Sequence, residues 1–420
     1  LTVYRHTEYA HDVYGVCQRI DDVATLKQIQ YPEDDGPLAH PIMLEQAESV
    51  DNFYTATIYE KGAEVIRMMR EVVGRDNFMA GCRLYFSRHD GQAVEIEDFV
   101  RAIEDASHTD LSQFMLWYQI PGRPKVNIQT HYENNTFTVH MEQTHARTKQ
   151  PFLIPLAYGL VAKDGTDLLN GTLILDETEK TFTFDVIEEP VLSINRGFSA
   201  IVDIDINYTL AQQEHLIQFD CDLFNRYQVM HQYMLDTILN MLNSDTETSD
   251  DTLIKMMGGC LKADIDNMLK SWMLKLPSDA EIINPEQLQS VRHLIRQHFA
   301  DTYQDDIFDL YNQMSDNNEY QITPDQMGKR ALKNVLLGYL SLTNQSDTAY
   351  QQYNQANNFT DLTEALICLV HYHHPKANEA LDDFYKRYEN DALPFNRWFV
   401  VQASDPVAET VGVIKRLMNH

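Results

Sequence analysis

The side chain in this sequence best placed to do chemistry is a phenol, that of Tyr59, in the stretch DNFYTATIYEKGAEVIRMMREVVG from Asp51 to Gly74. Thr57 and Glu60 stand three apart, the spacing of a capping box in which each side chain takes the other residue's free backbone N–H, so a helix is expected to start near Ile58. The first turn of a helix carries unpaired N–H groups and the positive end of the dipole. A phenol held there can donate a hydrogen bond to an oxyanion forming on an attacked carbonyl, a contribution of about 3 kcal/mol or more to a transition state. The plainer use of a tyrosine beside a helix start is a packed ring with a satisfied hydroxyl, and residue type alone does not choose between the two.

Two histidine groups invite a metal reading. His6, Glu8 and His11 resemble a variant of HExxH, a motif that works because its histidines are four apart and share a helix face. Here the spacing is five, about 140° around a helix, and the rings diverge. His371, His373 and His374 in VHYHHPKA are dense enough to bind a metal. They stand at an expected helix end before Pro375, where the dipole favours imidazolium, and no acidic ligand is adjacent, so they read as structural or solvated. Asp222, Asn225 and Arg226 read as a helix cap with surface pairs. No metal ligand is therefore assigned.

The elements that must position Tyr59 follow from periodicity. Val65, Ile66, Met69, Val72 and Val73 form one helical face, and Gly74 stands where a helix end favours positive φ. Upstream, LTVYRHTEYAHDVYGVCQRI is amphipathic, with Val3, Tyr4, His11, Tyr14 and Ile20 near one face and no capping residue before them, as in a helix entered midway. YPEDDGPLAHP is expected to be a linker. Further helices are expected from Asp76 to the Asp90-Gly91 stop, over EIEDFVRAIEDAS with Phe99, Val100 and Ile103 inward, and over LSQFMLWY capped by Asp110.

From about Lys125 the period becomes two: VNIQTHY, a turn at Glu133-Asn134-Asn135, TFTVHME, then Phe152, Ile154, Leu156 and Tyr158, an Asp164-Gly165 hairpin, and two strands in GTLILDETEKTFTFDV. This predicts a small β-sandwich. Beyond Tyr208 the helical period returns, with Phe224, Tyr227, Met234, Ile238 and Met241 on a core stripe and later helices separated by short polar loops, one opened by Thr323-Pro324. Stacked antiparallel helices of this kind suggest a solenoid-like array.

The chain has 420 residues, 44% apolar and 23% charged, which suits two or three globular domains. Sixty-three acidic against 33 basic residues give a net charge of −30, which argues against nucleic acid and membrane surfaces as partners. Five widely spaced cysteines without a CxxC pair suggest neither a disulfide framework nor a thiolate metal site, so a reducing, cytoplasmic setting is expected. No apolar run approaches the roughly 20 residues that span a membrane.

NFYTATIYEKGAEVIRMM closely resembles the segment following the zinc site in bacterial aminopeptidase N, the alanyl aminopeptidases of the gluzincin metallopeptidases. The opening LTVYR resembles the family phrase KEGLTVFR, whose glutamate is the third zinc ligand and would fall two residues before Leu1. WYQIPGRPKV resembles the family's exit from its catalytic domain. VLSINRGFSAIV resembles a phrase near the end of its β-domain, with Ile201 where proline is usual, a departure that puts only the local turn in doubt. KRALKN, QANNFTDLTEAL and NRWFVVQA resemble its helical domain in order.

Neither HExxH nor the amine-binding GxMEN occurs in these residues. The resemblance thus implies a partial chain that begins just after the zinc-ligand glutamate and stops before the last helical repeats. It implies an α+β multidomain fold: residues 1–124 as the helical tail of a thermolysin-like catalytic domain, 125–207 as a β-sandwich, and 208–420 as a truncated α-helical domain.

The implied function is zinc-dependent hydrolysis of N-terminal amino acids from peptides. Zn2+ would be bound in the full-length enzyme, none by this chain alone, and this chain alone would be inactive. Tyr59 matches the tyrosine that stabilises the tetrahedral intermediate, and Tyr54 matches an aromatic lining the pocket for the substrate's first side chain. Peptides would be the partners of a monomer. The other reading is a non-enzymatic protein-binding module from a family member lacking its metal site.

Overall fold

Helical periods at both ends of the sequence and a two-residue period between them become helices, two sheets and a second run of helices. The computed structural model describes residues 1–244, 250–277, 285–315, 319–405 and 409–420. It divides into two units, Leu1–Val229 and Met230–His420.

The first unit opens with α1 (Thr2–Tyr14), which ends at Gly15 with φ 95°, and α2 (Gln18–Thr25). The buried face of α1 is Tyr4, Thr7 and Ala10, whereas Val3 and His11 are half-buried and Tyr14 is 36% exposed. That face differs from the expected stripe because basic side chains reach it from the Tyr59 helix: Arg67 bonds Thr7 Oγ1 at 3.0 Å, and Arg70 bonds the Tyr4 hydroxyl at 3.1 Å. The expected linker also departs from the reading, since its first residues form α3 (Tyr31–Asp35) and bury Asp34. There follow α4 (Gly62–Val73), α5 (Arg75–His89), α6 (Ile96–Ser107) and α7 (Leu116–Gln119). Phe99, Val100 and Ile103 of α6 are buried, as their spacing requires. Asp110 accepts the Ser112 N–H at 2.9 Å, which opens the segment leading to α7.

The sandwich comprises β1 (Lys125–Glu133), β2 (Thr136–Thr144), β3 (Ile154–Val161), β4 (Asp167–Leu175), β5 (Glu179–Asp185), β6 (Val191–Ile194) and β7 (Asp203–Ile206). One sheet has the order β5-β2-β1-β7, the other β4-β3-β6, and β1 pairs with β7 in parallel. The tight β1–β2 turn places Asn134 and Asn135 at φ 52° and 62°, the left-handed region that asparagine tolerates. Val126, Ile128, Phe137, Val139 and Met141 from one sheet, with Ile154, Leu156 and Leu160 from the other, are buried. Ile201 lies in a buried segment outside the strands, and its N–H points at Met68 Sδ, 3.4 Å away, an interaction proline could not make.

After α8 (Leu210–Phe219), α9 runs Leu223–Ser244 with Phe224, Met234, Ile238 and Met241 buried and Tyr227 half-buried. Beyond it come α10 (Asp251–Lys262), α11 (Asn267–Met273), α12 (Pro285–Met314), α13 (Pro324–Leu340), α14 (Asp347–Gln355), α15 (Phe359–His371), α16 (Ala377–Tyr388), α17 (Ala392–Ala403) and α18 (Thr410–Leu417). Polar caps open several of them, among them Asp250, Asp266, Thr323 and Asn358. Helices pack on neighbours one or two steps along the chain (α10 on α12, α11 on α13, α14 on α15, α15 on α16), the arrangement of a solenoid. The architecture is therefore the α+β one expected.

Within the first unit, Trp117 joins the helical layer to the sandwich: it is fully buried, its Nε1–H donates to Leu153 O at 2.9 Å, and its ring meets Phe152 edge-on at 4.8 Å. Trp117→Ala should destabilise this unit by about 3–5 kcal/mol, the range for removing a large aromatic from a core. Chemical denaturation of the full-length protein would measure it, and a loss below about 1 kcal/mol would contradict this packing role.

Candidate functional site

The turn before the Tyr59 helix is built from short-range hydrogen bonds. Ser49 and Asn52 form a capping box around the 3-10 turn Val50–Phe53, and the chain then passes through Tyr54 to Thr55. Thr55 is the actual cap: its Oγ1 accepts the Ile58 N–H at 3.3 Å, and its carbonyl accepts the Tyr59 N–H at 3.1 Å. His40 Nδ1 lies 2.9 Å from Leu38 O, which can only accept, so Nδ1 carries the proton. In the neutral ring Nε2 then accepts the Thr55 hydroxyl at 2.8 Å.

The expected capping box at Thr57 and Glu60 does not form. Thr57 is already inside the helix, in a wide turn over Thr57–Lys61, and its N–H is taken from another element by Glu33 Oε1 at 2.8 Å. The helix therefore begins two residues earlier than the capping-box spacing suggests, and Tyr59 still lies in its first turn.

Tyr59 is 42% exposed and Tyr54 67% exposed, and their rings stack with centroids 6.1 Å apart at 22°. Neither hydroxyl bonds another described residue. Tyr59 borders a cleft of about 440 Å³ whose other walls include Ile42, Ile66, Phe99 and Tyr118. Tyr54 is not in that wall, though its ring stacks on that of Tyr59.

Beneath the exposed phenol the helix is held by charge. Lys61, 1% exposed, donates to Asp34 Oδ2 and to Gly122 O, both at 2.7 Å, while Asp34 Oδ1 accepts the Gly122 N–H at 2.7 Å. Burial alone would raise the Asp34 carboxyl, but the Lys61 ammonium and the Gly122 N–H reverse this and hold it below the usual carboxylate range. Glu64, one turn on, pairs with both terminal nitrogens of Arg19, whose Nε and Nη2 also donate to Gly197 O at 2.9 Å and Phe198 O at 3.1 Å. Glu8 pairs with Arg67 and Arg70, which overcome the opposing effect of burial and lower its carboxyl.

Sequence reasoning missed Asp34, Lys61, Arg19 and Glu64. One signal was available: Lys61 lies four residues before Val65 and seven before Met68, on the face that must be buried, where a lysine requires a partner.

His11 pairs with Asp22 at 2.8 Å while Glu8 is taken by arginines, so the His6, Glu8 and His11 group does not converge. The second histidine group differs from its reading in one respect, because acidic partners do lie close. His374 Nε2 is 3.0 Å from Asp347, and His373 Nδ1 is 3.9 Å from Asp405. His371 turns instead to Val401 O at 3.0 Å, so the three rings have separate partners. Asp222 caps Asn225 as expected, at 2.7 Å, but Asn225 is buried rather than on the surface and bonds Ser193 and Asp220.

A helical tail, a two-sheet sandwich and a helical array follow one another along the chain. Three family descriptions match in series: "Peptidase family M1 domain" over residues 1–118, "Domain of unknown function (DUF3458) Ig-like fold" over 122–207, and "Domain of unknown function (DUF3458_C) ARM repeats" over 210–420. Aminopeptidase N of Escherichia coli (strain K12) is 32% identical over 451 residues, covering 100% of this chain and 52% of the relative. Aminopeptidase N of Caulobacter vibrioides is 34% identical over 440 residues, covering 100% and 51%. The crystal structure of Legionella pneumophila aminopeptidase A in complex with aspartic acid is similar with a TM-score of 0.86 at 25% identity, over 100% of this chain and 50% of that one. The chain belongs to the aminopeptidase N family of peptidases, and it spans about half the length of the curated relatives it matches.

Removing one partner of a buried ion pair leaves the other uncompensated, so Lys61→Met should lower stability by about 3–5 kcal/mol. The wild-type contribution also depends on pH. Because the folded Asp34 carboxyl titrates below its unfolded value, the unfolded chain takes up the proton first, and stability is lost as pH falls below about 4. Urea denaturation of the full-length protein and of Lys61→Met across pH 7 to 3 would measure both. Equal stability, or an unchanged acid slope, would contradict the assignment.

Proposed function

We propose that this chain is part of an aminopeptidase that hydrolyses N-terminal residues from peptides, and that Tyr59 stabilises the tetrahedral intermediate. The observation that carries this reading is an exposed phenol without a hydrogen-bond partner, at the border of an apolar cleft, on a helix start held by buried ion pairs. The phenol O–H donates to the oxygen of the attacked carbonyl as negative charge develops there, and so favours the transition state over the neutral substrate. The ring of Tyr54, stacked on Tyr59, contacts the substrate's first side chain.

Zinc belongs to the full-length enzyme in this reading. The residues present here do not fit the ion: among the described residues no group of three or more His, Cys, Asp or Glu could hold a metal, and Glu8 and His11 are engaged elsewhere. In this reading turnover belongs to the full-length enzyme. Residues 1–124 supply the helical tail of the catalytic domain, 125–207 the sandwich and 208–420 the helical domain. The enzyme is a cytoplasmic monomer acting on peptides. No described helix is long and apolar enough to cross a membrane.

In the full-length enzyme, Tyr59→Phe should lower kcat by about 10²–10³-fold, the loss measured for one oxyanion donor, with zinc content unchanged. Steady-state kinetics with elemental analysis would test it, and unchanged turnover would remove the role assigned to the phenol. Tyr54→Ala should act mainly on KM and on the ranking of first residues. An identical ranking would place Tyr54 outside the substrate pocket.

A further inference from the structure

We propose that a two-lobed cavity in the helical unit beyond Met230 binds a small zwitterion, an α-amino acid or dipeptide, with its carboxylate toward Arg296 and Lys275 and its ammonium toward Glu364. One lobe, about 380 Å³, is lined from α11, α12 and α13 and the segment after α11; the other, about 710 Å³, is lined chiefly from α12 and α15. They share Arg292, Arg296, Gly338 and Glu364, so these side chains stand at the junction. Each lobe falls in the size range of small-molecule sites.

Two of the charged side chains at the junction, those of Arg296 and Glu364, have no ion pair or hydrogen bond with a described residue. Arg296 lies against the faces of Tyr339 and Tyr372, 5.8 and 5.5 Å from the ring centroids, yet makes no ion pair or hydrogen bond with a described residue. Its Nη2 would lie 3.1 Å from a Cβ at position 338, so the glycine there leaves room for the guanidinium. Glu364, half-buried on α15, likewise has no hydrogen bond or ion pair among the described residues. Burial pushes its carboxyl up, and Lys275 and Arg296 pull it back only in part. Lys275 stands over the Trp272 ring at 5.4 Å, and Arg292 is fixed by donating to Pro277 O at 2.6 Å.

Three basic side chains thus converge on one cavity in a chain of net charge −30, with a single unpaired carboxylate among them. Arg296 and Glu364 are half-buried without partners, a cost that a ligand supplying both counter-charges relieves at both ends, while the exposed Lys275 adds positive charge at the cavity edge. A simple anion would leave Glu364 facing it, and a simple cation would meet the arginines. Leu274, Leu276 and Val335 offer apolar wall for the ligand's side chain. The ligand class includes the free amino acids that any aminopeptidase releases, but the site does not rest on the role proposed for Tyr59.

Met268 lines the smaller lobe and serves as a reporter. The full-length protein, labelled with 13C in its methionine methyl groups, would be titrated with L-leucine, with N-acetyl-L-leucine, which lacks the ammonium, and with 3-methylbutylamine, which lacks the carboxylate. A saturable shift of the Met268 methyl is expected with leucine, and binding weaker by about tenfold or more with either analogue. Arg296→Met and Glu364→Gln should each weaken leucine by a similar factor. Gly338→Ala, which only crowds the Arg296 guanidinium, should weaken it too. No saturable shift at Met268, equal binding of leucine and N-acetyl-L-leucine, or indifference to all three substitutions would overturn the proposal.

Discussion

The buried contact of Lys61 with Asp34 and Gly122 is the constraint on which the rest of the first unit depends. Lys61 follows Tyr59 by two residues, Asp34 lies at the end of α3, and Gly122 lies in the segment that leads into β1. Three parts of the chain distant in sequence are thereby fixed around one ammonium and one carboxylate, each hydrogen-bonded on more than one side. Paired this fully, buried charge specifies geometry; left half-paired, it would work against the fold. A one-turn shift of α4 would leave Lys61 and Asp34 unpaired inside the protein, so the angular position of Tyr59 is set from below.

A second clamp acts one turn further along. Arg19 on α2 holds Glu64 on α4 and donates to the carbonyls of Gly197 and Phe198 in the sandwich, and its guanidinium lies 5.5 Å from the Phe198 ring centroid. Asn195, at φ 58°, starts that sandwich turn and takes the Ala200 N–H at 2.8 Å. The sandwich therefore does more than follow the helical tail in sequence. Its 195–201 turn is a wall against which the Tyr59 helix is seated, and Met68 closes the contact at Ile201. In the role proposed for Tyr59 such support matters, because a misplacement of about 1 Å costs a catalytic group much of its effect.

How much of this was legible in the sequence depended on range. Periodicity located the helices and strands, since burial of a face at 3.6 or 2.0 residues is local information, and Phe99, Val100 and Ile103 or Val126 and Ile128 were placed correctly. The cap of the Tyr59 helix was misread because Thr57 is followed three residues later by a glutamate that can complete a capping box, whereas Thr55 is followed at the same spacing by Ile58, which cannot. Thr57 loses that role to Glu33, a partner 24 residues away that no local pattern reveals. The linker over 31–41 was misread for the same reason: Asp34 is buried only because Lys61 and Gly122 come to it. Tyr59 was singled out by the family resemblance alone, since physical chemistry would have left it an ordinary tyrosine, and its role stands as a proposal. The junction of Arg296 and Glu364 was invisible, since it joins helices 68 residues apart in sequence.

The most direct test of the role proposed for Tyr59 is a crystal structure of the full-length enzyme with a phosphinic pseudopeptide, whose tetrahedral phosphinyl group stands in for the attacked carbonyl. The account predicts the Tyr59 Oη at about 2.7–3.1 Å from a phosphinyl oxygen, with the helix start unmoved and the Lys61–Asp34 contact intact. A phosphinyl group bound with the phenol outside hydrogen-bonding reach, or with another donor in its place, would contradict it.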